Sequence, residues 1–304
     1  MENNNVENIQ LKQYIRDNLK TIAFEKDWTD AHLEDTHTKL MRFCDFDGYG
    51  ELEIQSIAAK HITLFVMHLL EAGNYRMKKG LSPKTANRYL AAISGIFKHA
   101  LDTDAISKMP KITFRDEGEG RIRTFSDEEL QKLLDFFRTD PTYSKYKWIR
   151  DMTIVGMYTG MRRSEIKYIG SKVFVQKDDE GEYLFLPADI TKNGDERKIP
   201  IDGQLDLKEA IERLGNCSKK YTHHKFHCAW RKARKAIAPG DFSFCSHTLR
   251  HTVASNLANK QKTNVLVIAD YLGHRALETT IKYVHASLEA KRDAMKGMKF
   301  GVRV

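Results

Sequence analysis

His247 and Arg250 lie three residues apart in the run S-H-T-L-R-H-T that starts at Ser246. On a helix that spacing makes two side chains neighbours on one face. An arginine offers fixed N–H donors shaped for phosphate oxygens, and a histidine carries a proton near neutral pH. Further on, Gly273 follows V-L-V-I-A-D-Y-L and His274 follows the glycine. Glycine at such a place ends a helix, so His274 is expected just past a C-terminus. Tyr283 then closes T-T-I-K-Y, and a tyrosine brought to a cationic site is a candidate nucleophile. Taken singly, each of these residues also fits an ordinary core helix with a satisfied histidine.

The elements that carry this set belong to a chain of 304 residues, long enough for about two domains with a core in each. Hydrophobic residues make up 41% and charged residues 30%, the balance of a globular domain. The net charge of +9 points to a polyanionic partner, nucleic acid first. The opening M-E-N-N-N-V-E-N is polar and acidic, unlike a signal peptide. Ile62 to Leu70 is interrupted by His68 and too short to span a bilayer, so no membrane is expected. Cys44, Cys217, Cys228 and Cys245 show no paired spacing, which favours a reducing compartment. The expected localisation is cytoplasmic.

Periodicity predicts helix throughout residues 7 to 108, including Ile9 to Leu19, His37 to Phe43 and Ile54 to Ala72. Ser82-Pro83 is a cap followed by proline at the first helical position, opening a helix over Lys84 to Leu101. Its polar side shows Lys84, Asn87 and Arg88, which suits a DNA groove and equally a solvated face. Asp45 to Ser56 begins like a calcium loop, but Tyr49 and Ser56 stand where two oxygen ligands belong. It is read as a turn capping the next helix.

Lys108 to Arg121, with Pro110, Gly118 and Gly120, is the best linker, and the domains are expected as 1–115 and 116–304. Ser126-Asp-Glu-Glu129 is a capping box for a helix over Asp127 to Phe137, and another helix runs from Tyr146 to Thr159. Three strands follow, Lys172 to Val175, Tyr183 to Pro187 and Arg197 to Ile201. Asn193-Gly194 reads as the hairpin turn between the last two, with Lys192 pushed out on the tip. The chain is helical again from Leu205. His223, His224, His227 and Cys228 invite a metal, yet no ligand spacing is clean. Arg231, Arg234 and Lys235 alternate with apolar positions on a helix that could face an anion.

Thr159-Gly-Met-Arg162-Arg-Ser-Glu165, joined to Lys192, His247, Arg250, Leu272-Gly-His274 and Tyr283, resembles the tyrosine recombinases in order, residue type and spacing. These are the integrases of phages and mobile elements and the Xer-type resolving enzymes. The resemblance covers about Ser126 to Ser287, and the N-terminal helices resemble the core-binding domain. It implies a mostly α fold with a small antiparallel β-sheet: an N-terminal all-α, SAM-like domain followed by an α+β catalytic domain. It implies that Arg162 and Arg250 clamp the scissile phosphate. The arginine after T-G-x is Arg162, which settles the choice against Arg163. Tyr283 would attack to leave a 3′-phosphotyrosyl link and Lys192 would protonate the leaving 5′ oxygen. His247 would assist proton transfer, His274 would hydrogen-bond the phosphate, and Glu165 would support Arg162. The implied partners are double-stranded DNA with specific core sites, a homo-tetramer on two such sites, and accessory DNA-bending or directionality proteins. No cofactor is implied. A separate arm-binding domain is not evident, and Leu288 to Val304 fits a tail that docks on a neighbour.

Other readings make different demands. A type IB topoisomerase shares this chemistry but rejoins the same strands, and the compact region before Arg121 favours a recombinase. A silent DNA-binding protein would not need all six residues. A metal enzyme would rest on His223 to Cys228.

Overall fold

The computed structural model describes residues 9–72, 80–118 and 122–284. The tail expected to dock on a neighbour lies outside the described residues, as do Gly120 and Arg121 of the linker. Contacts divide the chain into two units, Met1–Gly120 and Arg121–Val304.

The first unit is helical: α1 (Leu11–Glu25), α2 (Asp30–Asp45), α3 (Ala59–Ala72) and α4 (Pro83–Asp102). Its core draws Ile15, Leu40, Phe43, Phe65, Leu69, Leu90, Ile93 and Phe97 from all four helices. The serine before α4 behaves as its sequence predicts, with the Ser82 hydroxyl accepting from the Thr85 amide. Such a cap contributes about 1 kcal/mol. Two expectations are corrected here. The helix predicted from Ile54 begins at Ala59; Ile54 and Ile57 are buried, but from a 3₁₀ turn and the loop after it. The loop at Asp45 does not cap α3. It doubles back in left-handed backbone at Asp47 and Gly48 and closes on the start of α1, where Leu11 N–H donates to Leu52 and Ile54 N–H to Ile9.

The second unit begins with α5 (Asp127–Thr139), α6 (Lys147–Thr159) and the single turn α7 (Arg163–Ile166). The capping box at Ser126 and Glu129 forms as read from the sequence. An antiparallel sheet of order β1-β2-β3 follows, from β1 (Phe174–Asp178), β2 (Gly181–Leu186) and β3 (Arg197–Pro200). Asn193-Gly194 does not close a tight hairpin. β2 and β3 pair from Leu186 and Arg197 outward, so residues 187–196 form a long loop. Gly194 still makes its turn with positive φ, and Lys192 is exposed on this loop.

The chain ends in α8 (Leu205–Leu214), α9 (Cys217–Lys220), α10 (His223–Ile237), α11 (Ser246–Ser255), α12 (Val265–Leu272) and α13 (Glu278–Ile281). The main core gathers Leu133, Ile149, Val155, Leu184, Ile199, Leu214, Phe226 and Leu249. A small satellite core joins Val253 and Ala254 of α11 to Ile268 and Leu272 of α12 and to Tyr283. Truncating a fully buried leucine such as Leu272 costs about 2–5 kcal/mol. Among the described residues no helix is long and apolar enough to cross a membrane.

Candidate active site

Helix ends help to bring Arg162, His247, Arg250, His274 and Tyr283 to one place, while Lys192 stays exposed on the β2–β3 loop. α6 stops at Gly160, in left-handed backbone with φ 61°. A side chain there would be strained and would meet Leu272 at 2.7 Å, so α6 and α12 approach closely at this glycine. The chain then turns outward through Arg162, whose amide donates to Glu165 Oε2 at 2.8 Å and whose guanidinium donates to Oε1 at 2.9 Å. Arg163 turns elsewhere, over the Phe226 ring at 5.8 Å.

α11 carries Arg250 inward. Its guanidinium donates to the carbonyl of Gly160 at 3.0 Å and to that of Leu272. Both carbonyls belong to helix C-termini, which lack intrahelical donors and carry partial negative charge. Arg250 therefore ties the end of α6 to the end of α12 and has three N–H donors left. Gly273, with φ 68°, ends α12 as its sequence predicts, and His274 follows with Nδ1 2.8 Å from the Thr280 hydroxyl.

Sequence reasoning missed Arg197. It leads β3, whose alternating burial turns Arg197 and Ile199 inward. Its guanidinium donates to Glu165 Oε2 at 2.8 Å and to the Leu272 carbonyl that Arg250 also uses. Glu165, completely buried, thus joins two arginines. Burial alone would raise its pKa, but the charge of Arg197 and the hydrogen bonds from Arg162 overrule it and hold the carboxyl below its usual range.

Tyr283 is 5% exposed. Its ring belongs to the satellite core, its hydroxyl is hydrogen-bonded to His251 Nδ1, and its carbonyl accepts from Asn259 at 2.9 Å. Asn259 lies on a π-helical turn, Asn256–Lys260, that continues α11. π turns widen a helix by one residue and redirect its side chains. His251 and Asn259 were also missed.

The cations repel one another. Burial, then Arg162 and Arg197, push Arg250 down to about 9. Burial and the neighbouring cations push His274 down to about 4. His247, at the rim, is likewise pushed down to about 4, by burial first and then by His251, Arg250 and Arg162. Burial raises Tyr283, partly offset by Arg250. A cleft of about 220 Å³ opens beside Arg162 and His274, lined also by Asn193 and Asp195 of the β2–β3 loop. That loop is fastened by Asn193 to the Gly273 carbonyl at 3.1 Å and by a two-pronged pair between Asp195 and Arg275.

Among the outlying candidates, Lys84 and Arg88 are exposed on α4. Asn87 is not available to DNA: it is 8% exposed and its amide binds the backbone of Arg115 in both directions at 2.8 Å, because the extended segment after α4 lies over it. On α10, Arg231 and Lys235 are exposed, while Arg234 stacks on Phe242 at 4.8 Å. His223 and His227 stack face to face, and among the described residues no three His, Cys, Asp or Glu side chains gather as a metal site.

The chain is similar to a tyrosine recombinase of Thermosipho africanus, 25% identical over 83% of this chain and 88% of the relative. It is likewise similar to the tyrosine recombinase XerD of Corynebacterium glutamicum, 25% identical over 92% and 95%. Solved structures share the fold. They include the Tn1549 transposon integrase with a circular intermediate DNA, at TM-score 0.69 and 19% identity over 95% of this chain and all of that one. A lambda integrase dimer bound to a COC′ core site matches at TM-score 0.68 and 17% identity, over 97% and 99%. A lambda integrase tetramer bound to a Holliday junction also matches at TM-score 0.68, 16% identical over 98% and 81%. The model of the phage integrase family matches residues 123–289, more than half of the sequence, and the chain belongs to that family, the tyrosine recombinases.

Proposed function

We propose that this recombinase cuts and rejoins DNA at specific sites through a 3′-phosphotyrosyl intermediate on Tyr283. The observation that carries the reading is electrostatic. Arg162, Arg197 and Arg250 share one partly dry space in which the buried Glu165 pairs with Arg162 and Arg197, and burial, then the charges of Arg162 and Arg197, lower Arg250. Such a site is short of one anion, and a backbone phosphodiester supplies it. Arg162 and Arg250 hold the two non-bridging oxygens and stabilise the charge that grows there. Tyr283 Oη bonds to phosphorus, the bond to the 5′ oxygen breaks, and Lys192 protonates the leaving oxygen. His274 accepts from Thr280 at Nδ1 and keeps Nε2–H for the phosphate, while His247 assists proton transfer at the rim. The phosphotyrosine retains the bond energy, so a 5′ hydroxyl of another strand reverses the step.

Lys84 and Arg88, with Arg231 and Lys235, are the exposed cations that would meet DNA backbone away from the scissile phosphate. The lambda integrase tetramer on a Holliday junction supports an assembly of four copies on two duplexes. The test uses duplexes enriched by binding from a random pool and nicked beside the reactive phosphate, so that the cut strand diffuses away. Wild type should accumulate a detergent-resistant protein–DNA adduct. Tyr283→Phe keeps the ring in its satellite core and should bind equally but form none. An adduct formed by Tyr283→Phe overturns the reading.

A further inference from the structure

The Tyr283 hydroxyl is engaged by a residue to which the sequence motif gives no role. It is hydrogen-bonded to Nδ1 of His251, with ring centroids 5.6 Å apart and the planes tilted by 35°. Asn259 fixes the tyrosine's carbonyl at 2.9 Å, so α11 and its π-helical extension hold the residue at both ends. The His247 ring meets His251 edge-on, 4.8 Å between centroids and 84° between planes, on the neighbouring turn of α11.

We infer that His251 is the base that takes the proton from the Tyr283 hydroxyl during strand cleavage. This rests on the phosphotyrosyl reading above and adds the missing destination of that proton. A phenol with an ordinary pKa of about 10 scarcely ionises at neutral pH, and burial of Tyr283 makes ionisation harder still. The proton needs an acceptor within hydrogen-bond reach of Oη. His274 spends Nδ1 on Thr280, His247 contacts the His251 ring, and Lys192 is exposed on the β2–β3 loop. His251 touches the reacting oxygen. The groups around it are Arg250 and His247 on its own helix, His274 beyond α12 and Tyr283 beyond α13. Burial and the charge of Arg250 favour its neutral form, and with the ring proton on Nε2 the Nδ1 lone pair accepts from Oη.

The step balances. The Oη–H bond breaks and its proton goes to Nδ1; the Oη–P bond forms; the P–O5′ bond breaks and the 5′ oxygen takes a proton from the general acid. On rejoining, the 5′ hydroxyl attacks and returns its proton to the general acid, now acting as base, while departing Tyr283 recovers its proton from His251. The imidazolium formed beside Arg250 is offset by the negative charge that grows on the phosphate.

The experiment follows single-turnover adduct formation on the nicked duplex across pH, for wild type, His251→Gln, and His251→Ala with and without added imidazole. A second substrate replaces the 5′ bridging oxygen by sulfur, a leaving group that needs no acid. His251→Gln should bind duplex as wild type does yet react about 10²-fold more slowly. The loss should persist on the sulfur substrate, the acid limb of the rate profile should vanish, and imidazole should restore part of the rate to His251→Ala. A His251→Gln rate within about 3-fold of wild type, with the acid limb unchanged, overturns the assignment while the adduct itself still supports the phosphotyrosyl reading. A wild type that forms no adduct on Tyr283 removes both.

Discussion

Helix α11 and the loop between β2 and β3 carry groups that the proposed mechanism assigns to the same phosphate, and they are built in opposite ways. α11 is sunk into the molecule: Leu249, Arg250, Thr252 and Ala254 are buried, and the Thr252 hydroxyl accepts from the Phe125 amide at 2.9 Å. Arg250 can therefore hold its guanidinium in one place before any substrate arrives. The loop is exposed at Lys192, Asp195 and Glu196, and among its fastenings are the Asn193 amide and two surface ion pairs, Asp189 with Lys172 and Asp195 with Arg275. Ion pairs so exposed contribute little to stability, because water and salt screen them. Groups that stabilise transition-state charge need preorganisation, whereas a general acid has to be delivered once the leaving oxygen is in place. The molecule puts each on the matching kind of scaffold.

The comparison is broken most severely at Glu165, which fixes the rigid side. Glu165→Ala leaves Arg162 and Arg197 without their shared carboxylate, and losing one partner of a buried ionic network costs about 3–5 kcal/mol. Denaturant unfolding should show that loss; a stability unchanged from wild type would mean that the network does not organise the site. Next comes Arg250→Lys, which keeps the charge and loses the fork. Cleavage should fall at least about 10²-fold, and orphaning a helix-end carbonyl should cost about 1–3 kcal/mol as well. Lys192→Ala should lose cleavage with its melting temperature intact. Equal melting shifts in the two variants would erase the distinction between scaffold and loop.

A smaller effect is the acid sensitivity of the rigid side. Burial and the surrounding cations hold His274 in the folded chain at about 4, against about 6.5 unfolded. Its contribution to stability is complete above the unfolded value and drains away as pH falls from 6.5 toward 4, because the unfolded chain binds the proton first. Melting curves of His274→Gln should accordingly lose less stability than wild type between pH 7 and pH 5. Glu165, held low, adds its own loss only at more acid pH. Least of all, Asp195→Asn should barely move the melting temperature and should alter the cleavage rate more, since it frees only the loop. A melting shift with unchanged cleavage would show the pair to be merely structural.

What the sequence could and could not disclose follows from whether the cause is local. Caps and stops were legible because a hydroxyl at Ser82 or Ser126 and a glycine at 160 or 273 act within one turn of the chain. Of the six motif residues, Arg162, His247, Arg250, His274 and Tyr283 lie near one another, while Lys192 stays exposed on the β2–β3 loop. Arg197 was not legible, since its partners are Glu165, far upstream, and a backbone carbonyl at Leu272. The available signal was its alternation with Ile199, which puts an arginine on the inward face of β3, where it must find a partner. His251 could have been found by its place one turn beyond His247 on the same face of α11. Asn87 was misjudged because helical position alone made it look solvent-facing, and only the segment returning through Arg115 covers it. The long β2–β3 loop shows the same limit: Asn193-Gly194 makes its turn, but the distant pairing of Leu186 with Arg197 decides where the strands start.

The central claim concerns one covalent bond. The trapped wild-type adduct is digested with protease and nuclease, and the remaining nucleotide is located by mass spectrometry. The account predicts a nucleotide joined through its 3′ phosphate to the peptide that contains Tyr283. A nucleotide on any other residue, or one joined through its 5′ phosphate, would contradict it.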